Sequence, residues 1–356
     1  MSGTPKDLIF DGHNDVLFRL FNKKTANPAR DFVAGDGEGH LDLPRMRKGG
    51  FAGGLFAVYV PSGDDLGKLD DLMQGASYDV PLSPAIAARE AMPVAFAMIA
   101  TLFRMERLSD GAFNVCRTAG DIRAAFADGT VAAVLHMEGA EAIDANLDNL
   151  ELLYQAGLRS LGPVWSRPTL FGHGVPFRYP STGDTGPGLT DAGKALITAC
   201  NHLGIAIDLS HMTEAGFWDV AKLSTKPLIA SHSNAHVICP HARNLTDRQL
   251  DAIAESGGLV GLNFATCFLR PDGQQGADTP LELMLRHLDH LIQRLGIDHV
   301  AFGTDFDGAT VPEAIGDVTG LPVLTAAMRS HDFDDDAMRK LCRDNWVNVL
   351  ERTWTS

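Results

Sequence analysis

Eight short apolar runs recur along this chain, and helical patterns fill most of the gaps between them. They are "LIFDGH" (8–13), "GLFAVYV" (54–60), "VAAVLHME" (131–138), "SLGPVW" (160–165), "IAIDLSH" (205–211), "PLIASH" (227–232), "GLVGLNF" (258–264) and "HVAFGTDF" (299–306). Runs this short and this apolar read as strands covered on both faces, the condition of a parallel sheet. Strands alternating with helices imply parallel pairing, and eight of them make a closed (β/α)8 barrel of the TIM type the leading architecture. An open doubly wound sheet is the alternative, but no G-x-G-x-x-G follows any of the runs. Such barrels routinely exceed the usual domain length, so residues 1–356 are expected to form one domain.

Several helices carry their own punctuation. "TDRQLDAIAESGG" sets Thr246 and Gln249 as a capping box and Gly257 as a stop. "DANLDNLELLYQAG" places Leu147, Leu150 and Tyr154 at helical spacing, and "TDAGKALITACNHLG" runs from Thr190 to Gly204. The stretch 83–110 reads as helix interrupted at Pro93. Irregular stretches at 22–48, 61–82, 166–189 and 265–279 are the expected loops over the active-site end.

Five of the eight runs end in a metal-binding residue type: His13 with Asp15, Glu138, His211, His232 and Asp305. The C-terminal ends of barrel strands share one mouth, so these distant residues are expected to converge. Residues i and i+2 of an extended segment face one side, which lets His13 and Asp15 grip one ion together. Three histidines with three carboxylates suit a divalent ion such as zinc better than calcium or magnesium, which favour oxygen shells. A net charge of −15 argues against nucleic acid or an anionic membrane as the partner. "MSGTPKDLIF" shows no charged leader ahead of an apolar stretch, and no segment approaches a spanning helix, so a cytoplasmic protein is expected. The five cysteines are widely spaced with no C-x-x-C, which suggests reduced, mostly buried thiols.

The segments "DGHND" (11–15), "MEGAEAI" (137–143), "IDLSHM" (207–212), "SHSNAHVICPHARNLTD" (231–247) and "GTDFDG" (303–308), with "YQAGLRSL" (154–161) and "NW" (345–346), closely resemble the membrane dipeptidase (renal dipeptidase) family of metallopeptidases. The resemblance runs from about residue 8 to about 350 and implies a (β/α)8 barrel that hydrolyses small dipeptides with two zinc ions and a water activated between them. It implies that His13 and Asp15 bind the first metal, that Glu138 bridges and so belongs to the catalytic set, and that His211 and His232 bind the second. By the same resemblance Asp305 is the acid/base residue and Arg243 grips the substrate's terminal carboxylate, a task suited to a planar guanidinium. L-Xaa-D-Xaa dipeptides are within the family's range, and its members often form homodimers. The missing leader and anchoring tail make a soluble bacterial-type member the better comparison.

The pattern breaks once. Trp165 stands where better-known members carry a substrate-polarising histidine, and an indole has no basic nitrogen. Carbonyl polarisation then falls to the metal or to another donor, for which His173, in the following loop and otherwise an ordinary loop histidine, is a candidate. His136 and Asp208 read as groups supporting the ligands, His236 and His241 as flanks of the Arg243 loop, and Trp346 as packing. The Trp165 change keeps open another small amide, such as an N-acyl amino acid or a β-lactam-like substrate. A catalytically idle metal-binding barrel would be favoured by a missing ligand, and none is missing.

Overall fold

A computed structural model describes residues 7–62 and 72–354. Part of the loop expected over 61–82, and the first six residues of the N-terminal reading, lie outside the described residues. Eight strands form the frame: β1 (Ile9–Asn14), β2 (Phe51–Tyr59), β3 (Val131–Glu138), β4 (Leu158–Gly162), β5 (Ala206–Ile207), β6 (Ile229–Ala230), β7 (Leu259–Asn263) and β8 (Val300–Gly303). β1, β2 and β3 are buried at every residue, because one face of a barrel strand meets the interior and the other meets helices.

Every neighbouring pair is parallel and follows chain order. β8 returns to β1 through Asp11 and Phe302, and a single bridge between Asp208 and Ile229 joins β5 to β6, so the sheet comes round on itself. Phe113–Val115 adds a short strand beside the first half of β3, whose second half pairs with β4.

Strands five and six are much shorter than their apolar runs suggest. The Asp208 carboxylate accepts the backbone N–H groups of Ser210 and Ser231, and His211 adopts φ +68°, so the ladder ends at Leu209, whose N–H still reaches the Ile229 carbonyl. Strand eight stops at Gly303, with Asp305 at φ +59° just beyond it. His211, His232 and Asp305 therefore sit on the bends that follow their strands, while His13 and Glu138 lie at the ends of β1 and β3 themselves.

The helix from Ala88 to Leu108 is continuous through Pro93, contrary to the interruption expected. Pro93 lies near the helix start, where the one backbone bond it forfeits is outweighed by the buried face of Ala95, Met98, Leu102 and Met105. The stretch 22–48 is less irregular than expected. It holds Pro28–Ala34 and Leu43–Gly49, capped by Asn27 and Asp42, with a proline in each first turn. The capping box at Thr246 and Gln249 starts the helix Asp247–Glu255, and Thr190 and Gly204 bound Asp191–Leu203. Leu147 caps Asp148–Ala156 at φ +62° rather than lying on it.

Trp346, from the last helix, forms the barrel floor. Its Nε1–H donates to the Phe302 carbonyl at 2.8 Å, and its ring lies so close to Gly12 that any Cβ there would collide with it. At the other end Tyr78–Asp79 pairs antiparallel with Arg178–Tyr179 over the mouth, and the Tyr78 hydroxyl donates to the Gly273 carbonyl at 2.7 Å. All five cysteines are buried. Among the described residues no helix is long and apolar enough to cross a membrane.

Candidate metal centre

Glu138 ends β3 with its two carboxylate oxygens facing two different clusters. Oε2 lies 3.6 Å from His13 Nε2, which is 3.4 Å from Asp15 Oδ2. Oε1 lies 3.1 Å from His211 Nε2 and 3.5 Å from His232 Nε2, and those two nitrogens are 3.1 Å apart. The result is two buried trios of donors that share Glu138. Ligands about 2.0–2.1 Å from a tetrahedral ion stand roughly 3.3 Å from one another, so both trios are spaced to hold one. His13 Nε2 sits between two carboxylates; burial opposes charge on the ring, but Glu138 and Asp15 hold it well above the ordinary histidine value, so the site calls for a positive charge that a metal ion would supply in place of the proton.

Neighbouring hydroxyls decide which nitrogen of each histidine is bare. Ser231 Oγ donates to Asp208 Oδ2 at 2.5 Å and so must accept the Nδ1–H of His232, 2.7 Å away. That leaves the lone pair of His232 Nε2 facing Glu138. Ser166 Oγ lies 2.8 Å from His211 Nδ1 and can accept in the same way.

Burial lowers His211 to about pKa 4, with the Arg243 charge adding to the effect, and it drives His232 far down as well. Both rings are neutral, the form in which imidazole binds metal. Burial opposes ionisation of Glu138, but His13 and His211 hold it well below the usual carboxylate range. Burial lifts Asp15 to about 7 against the pull of His13, with Glu138 and Asp305 adding to the rise. Such crowded carboxylates call for added positive charge.

Asp305 stands beside this centre. Its Oδ2 accepts from Asn263 Nδ2 at 2.9 Å, and its Oδ1 and Asp15 Oδ2 both crowd Gly308, leaving no room for a Cβ. Asp11 ties β1 to the segment after β8 by accepting from the backbone N–H of Thr304 at 2.7 Å and its hydroxyl at 3.1 Å.

A cavity of about 450 Å³ opens over the centre, lined by Asp15, Glu138, His211 and Asp305 on its polar side and by Tyr59, Trp165, Phe177 and Phe268 on its aromatic side. Trp165 lies 5.6 Å from the His211 ring at 32° and packs edge-on against Tyr59 and Phe177. Arg243 is not among the residues lining the cavity and lies behind this wall, its guanidinium 5.4 Å from the Phe268 ring, Nη2 donating to the His232 carbonyl at 3.1 Å, and Nε unpartnered. His173 is not among the residues lining the cavity; its carbonyl accepts from Thr213 N–H in the loop behind. His136 packs edge-on to His13, with Nδ1 2.9 Å from Ser160 Oγ and Nε2 3.6 Å from Asp208. Sequence reasoning overlooked Tyr59, Ser166, Ser231 and Asn263. Tyr59 and Asn263 were within reach, since each is the last polar residue of its run and ends strand β2 or β7 as Glu138 ends β3.

The family model for membrane dipeptidase, peptidase family M19, matches residues 5–355. The chain belongs to the membrane dipeptidase family. A metallopeptidase from Rhodobacter sphaeroides, crystallised with a phosphinate mimic of the dipeptide L-Ala-D-Ala, is 58% identical, with a TM-score of 0.96 over 99% of this chain and 100% of its own. Dipeptidase AC, another M19 metallopeptidase, is 59% identical with a TM-score of 0.95 over 98% and 99%. An uncharacterized protein from the pqqA 5′ region of Klebsiella pneumoniae is 48% identical over 72% of this chain and 94% of its own length. The chain is thus a metal-dependent dipeptidase on a (β/α)8 barrel, and among the described residues the two trios at Glu138 and a third, His13 with Asp208 and His232, are the groups that could hold a metal.

Proposed function

We propose a binuclear zinc dipeptidase that cleaves small dipeptides, L-Xaa-D-Xaa among them. The observation that carries it is the sharing of Glu138 between two donor trios, one oxygen 3.6 Å from His13 and the other 3.1 Å from His211. His13, Asp15 and Glu138 would hold one ion, and His211, His232 and Glu138 would hold the other. Ions bound there supply a Lewis acid for the scissile carbonyl and acidify water towards neutrality. Asp305, steered by Asn263, takes the proton of the attacking water and hands it to the nitrogen of the departing amine. Arg243 binds the substrate's carboxylate; its unpartnered Nε and its place between Phe268 and His232 support this role, and a fixed cation there favours substrates two residues long. The mimic held by the Rhodobacter sphaeroides metallopeptidase supports a D-residue at the C-terminal position.

The test combines metal analysis with kinetics on L-L and L-D dipeptides. Glu138→Gln should lose at least one ion per chain and roughly a thousandfold or more in kcat. Full hydrolysis by metal-stripped Glu138→Gln protein would sink the proposal. N-acyl amino acids and a β-lactam-like amide belong in the panel, because Trp165 alters the wall that meets the scissile group. A preference for either would replace the dipeptide by another small amide.

A further inference from the structure

With Trp165 in the wall and His173 away from the cavity, neither supplies a side-chain donor to the oxygen of the scissile carbonyl beside the metal, and Tyr59 is placed to do so. Tyr59 ends β2 in register with Glu138 on β3, and paired residues of parallel strands project to the same side. Both line the cavity. The Tyr59 ring is fixed edge-on between Phe18 at 5.3 Å and Trp165 at 5.1 Å.

Its hydroxyl is tuned from behind. Arg167 Nη2 donates to the Tyr59 oxygen at 3.0 Å and to the Val60 carbonyl at 2.7 Å, while Arg167 Nε faces Glu141 at 3.1 Å, both of those side chains being fully buried. A guanidinium can only donate, so the phenol accepts there and keeps its own proton for another partner. No acceptor among the described residues takes that proton. A buried cation against the oxygen also polarises the O–H and strengthens it as a donor.

We propose that the Tyr59 hydroxyl donates a hydrogen bond to the scissile carbonyl oxygen as it gains negative charge, with Arg167 and Glu141 as positioning residues. This rests on the dipeptidase reading above. No proton is transferred: Tyr59 stays a phenol throughout, and the bond shortens as charge accumulates.

Tyr59→Phe removes one oxygen and leaves the ring in place. In the metal-loaded enzyme it should lower kcat on L-Ala-D-Ala about a hundredfold with little change in KM. The Ki of a phosphinate dipeptide mimic, whose tetrahedral oxygen sits where the charge develops, should rise by a comparable factor while metal content and Tm hold. A Tyr59→Phe enzyme with kcat and phosphinate Ki within about twofold of the parent overturns the role. Arg167→Lys should raise the phosphinate Ki only while Tyr59 is present, so the double variant should match Tyr59→Phe; additive losses overturn the positioning role. A parent enzyme with no dipeptidase activity overturns the underlying reading instead, which keeps the two failures distinct.

Discussion

The hydroxyl of Ser231 does two jobs with one oxygen. It gives its proton to Asp208 and takes the one on His232 Nδ1, so the far nitrogen of that ring is left as a lone pair beside Glu138. Ser231→Ala removes the acceptor and lets the ring protonate at either nitrogen. Metal affinity should fall roughly 10–100-fold, as a chelator competition would read, with activity returning at high metal concentration. Unchanged affinity would mean that packing alone sets the ring. That His13, Asp15, Glu138, His211, His232 and Asp305 converge was legible, because each ends an apolar run and strand ends share one mouth. The residues that tune them were not: a serine or tyrosine at a strand end has a dozen ordinary explanations, and only distance reveals Ser231 beside His232 or Tyr59 beside Arg167.

At the scale of elements, the loops over the mouth are braced from behind. His287, on the helix Leu281–Leu295, accepts from the Ala235 N–H at Nδ1 (3.1 Å) and donates from Nε2 to the Leu269 carbonyl (3.0 Å). One neutral ring thus ties the loop after β6 to the short helix after β7. A proton on Nδ1 would set two donors against each other, and burial already holds His287 down at about 4. The unfolded chain, with an ordinary histidine near 6.5, takes up protons before the folded one does, so stability drops as pH falls from about 6.5 towards 4. A shift of that size corresponds to about 3 kcal/mol in all, with about 2 kcal/mol gone by pH 5. His287→Gln can accept and donate similarly but cannot titrate, so its urea midpoint should change less than the parent's between about pH 7 and about pH 5; parallel curves would refute this. The helices themselves were readable where caps announced them, as at Thr246 and Thr190. Asp148–Ala156 began later than its periodicity suggested because Leu147 took a left-handed turn that apolar spacing cannot signal.

At the scale of the whole molecule, the two ends of the chain hold each other. β1 pairs with β8, Asp11 binds Thr304, Arg329 pairs with Asp7, and Trp346 closes the floor against Gly12. A chain ending before Leu341 would leave the barrel floor open and a large apolar surface wet. It should lose the cooperative melt seen by calorimetry, and a sharp transition near the parent's Tm would contradict this. The barrel order was readable from the alternation of strands and helices. The floor was less so, since in sequence Trp346 is one aromatic among many.

That floor has a consequence in time. His13 and Asp15 are synthesised almost first, yet the strand that carries them gains its second neighbour and its tryptophan plug only when nearly the last helix has been made. Until then β1 has one open edge and carries two metal-binding side chains, so a stalled chain offers a sticky strand and a stray chelating pair, and the frame that fixes His13 and Asp15 is complete only once β8 and Trp346 have been made.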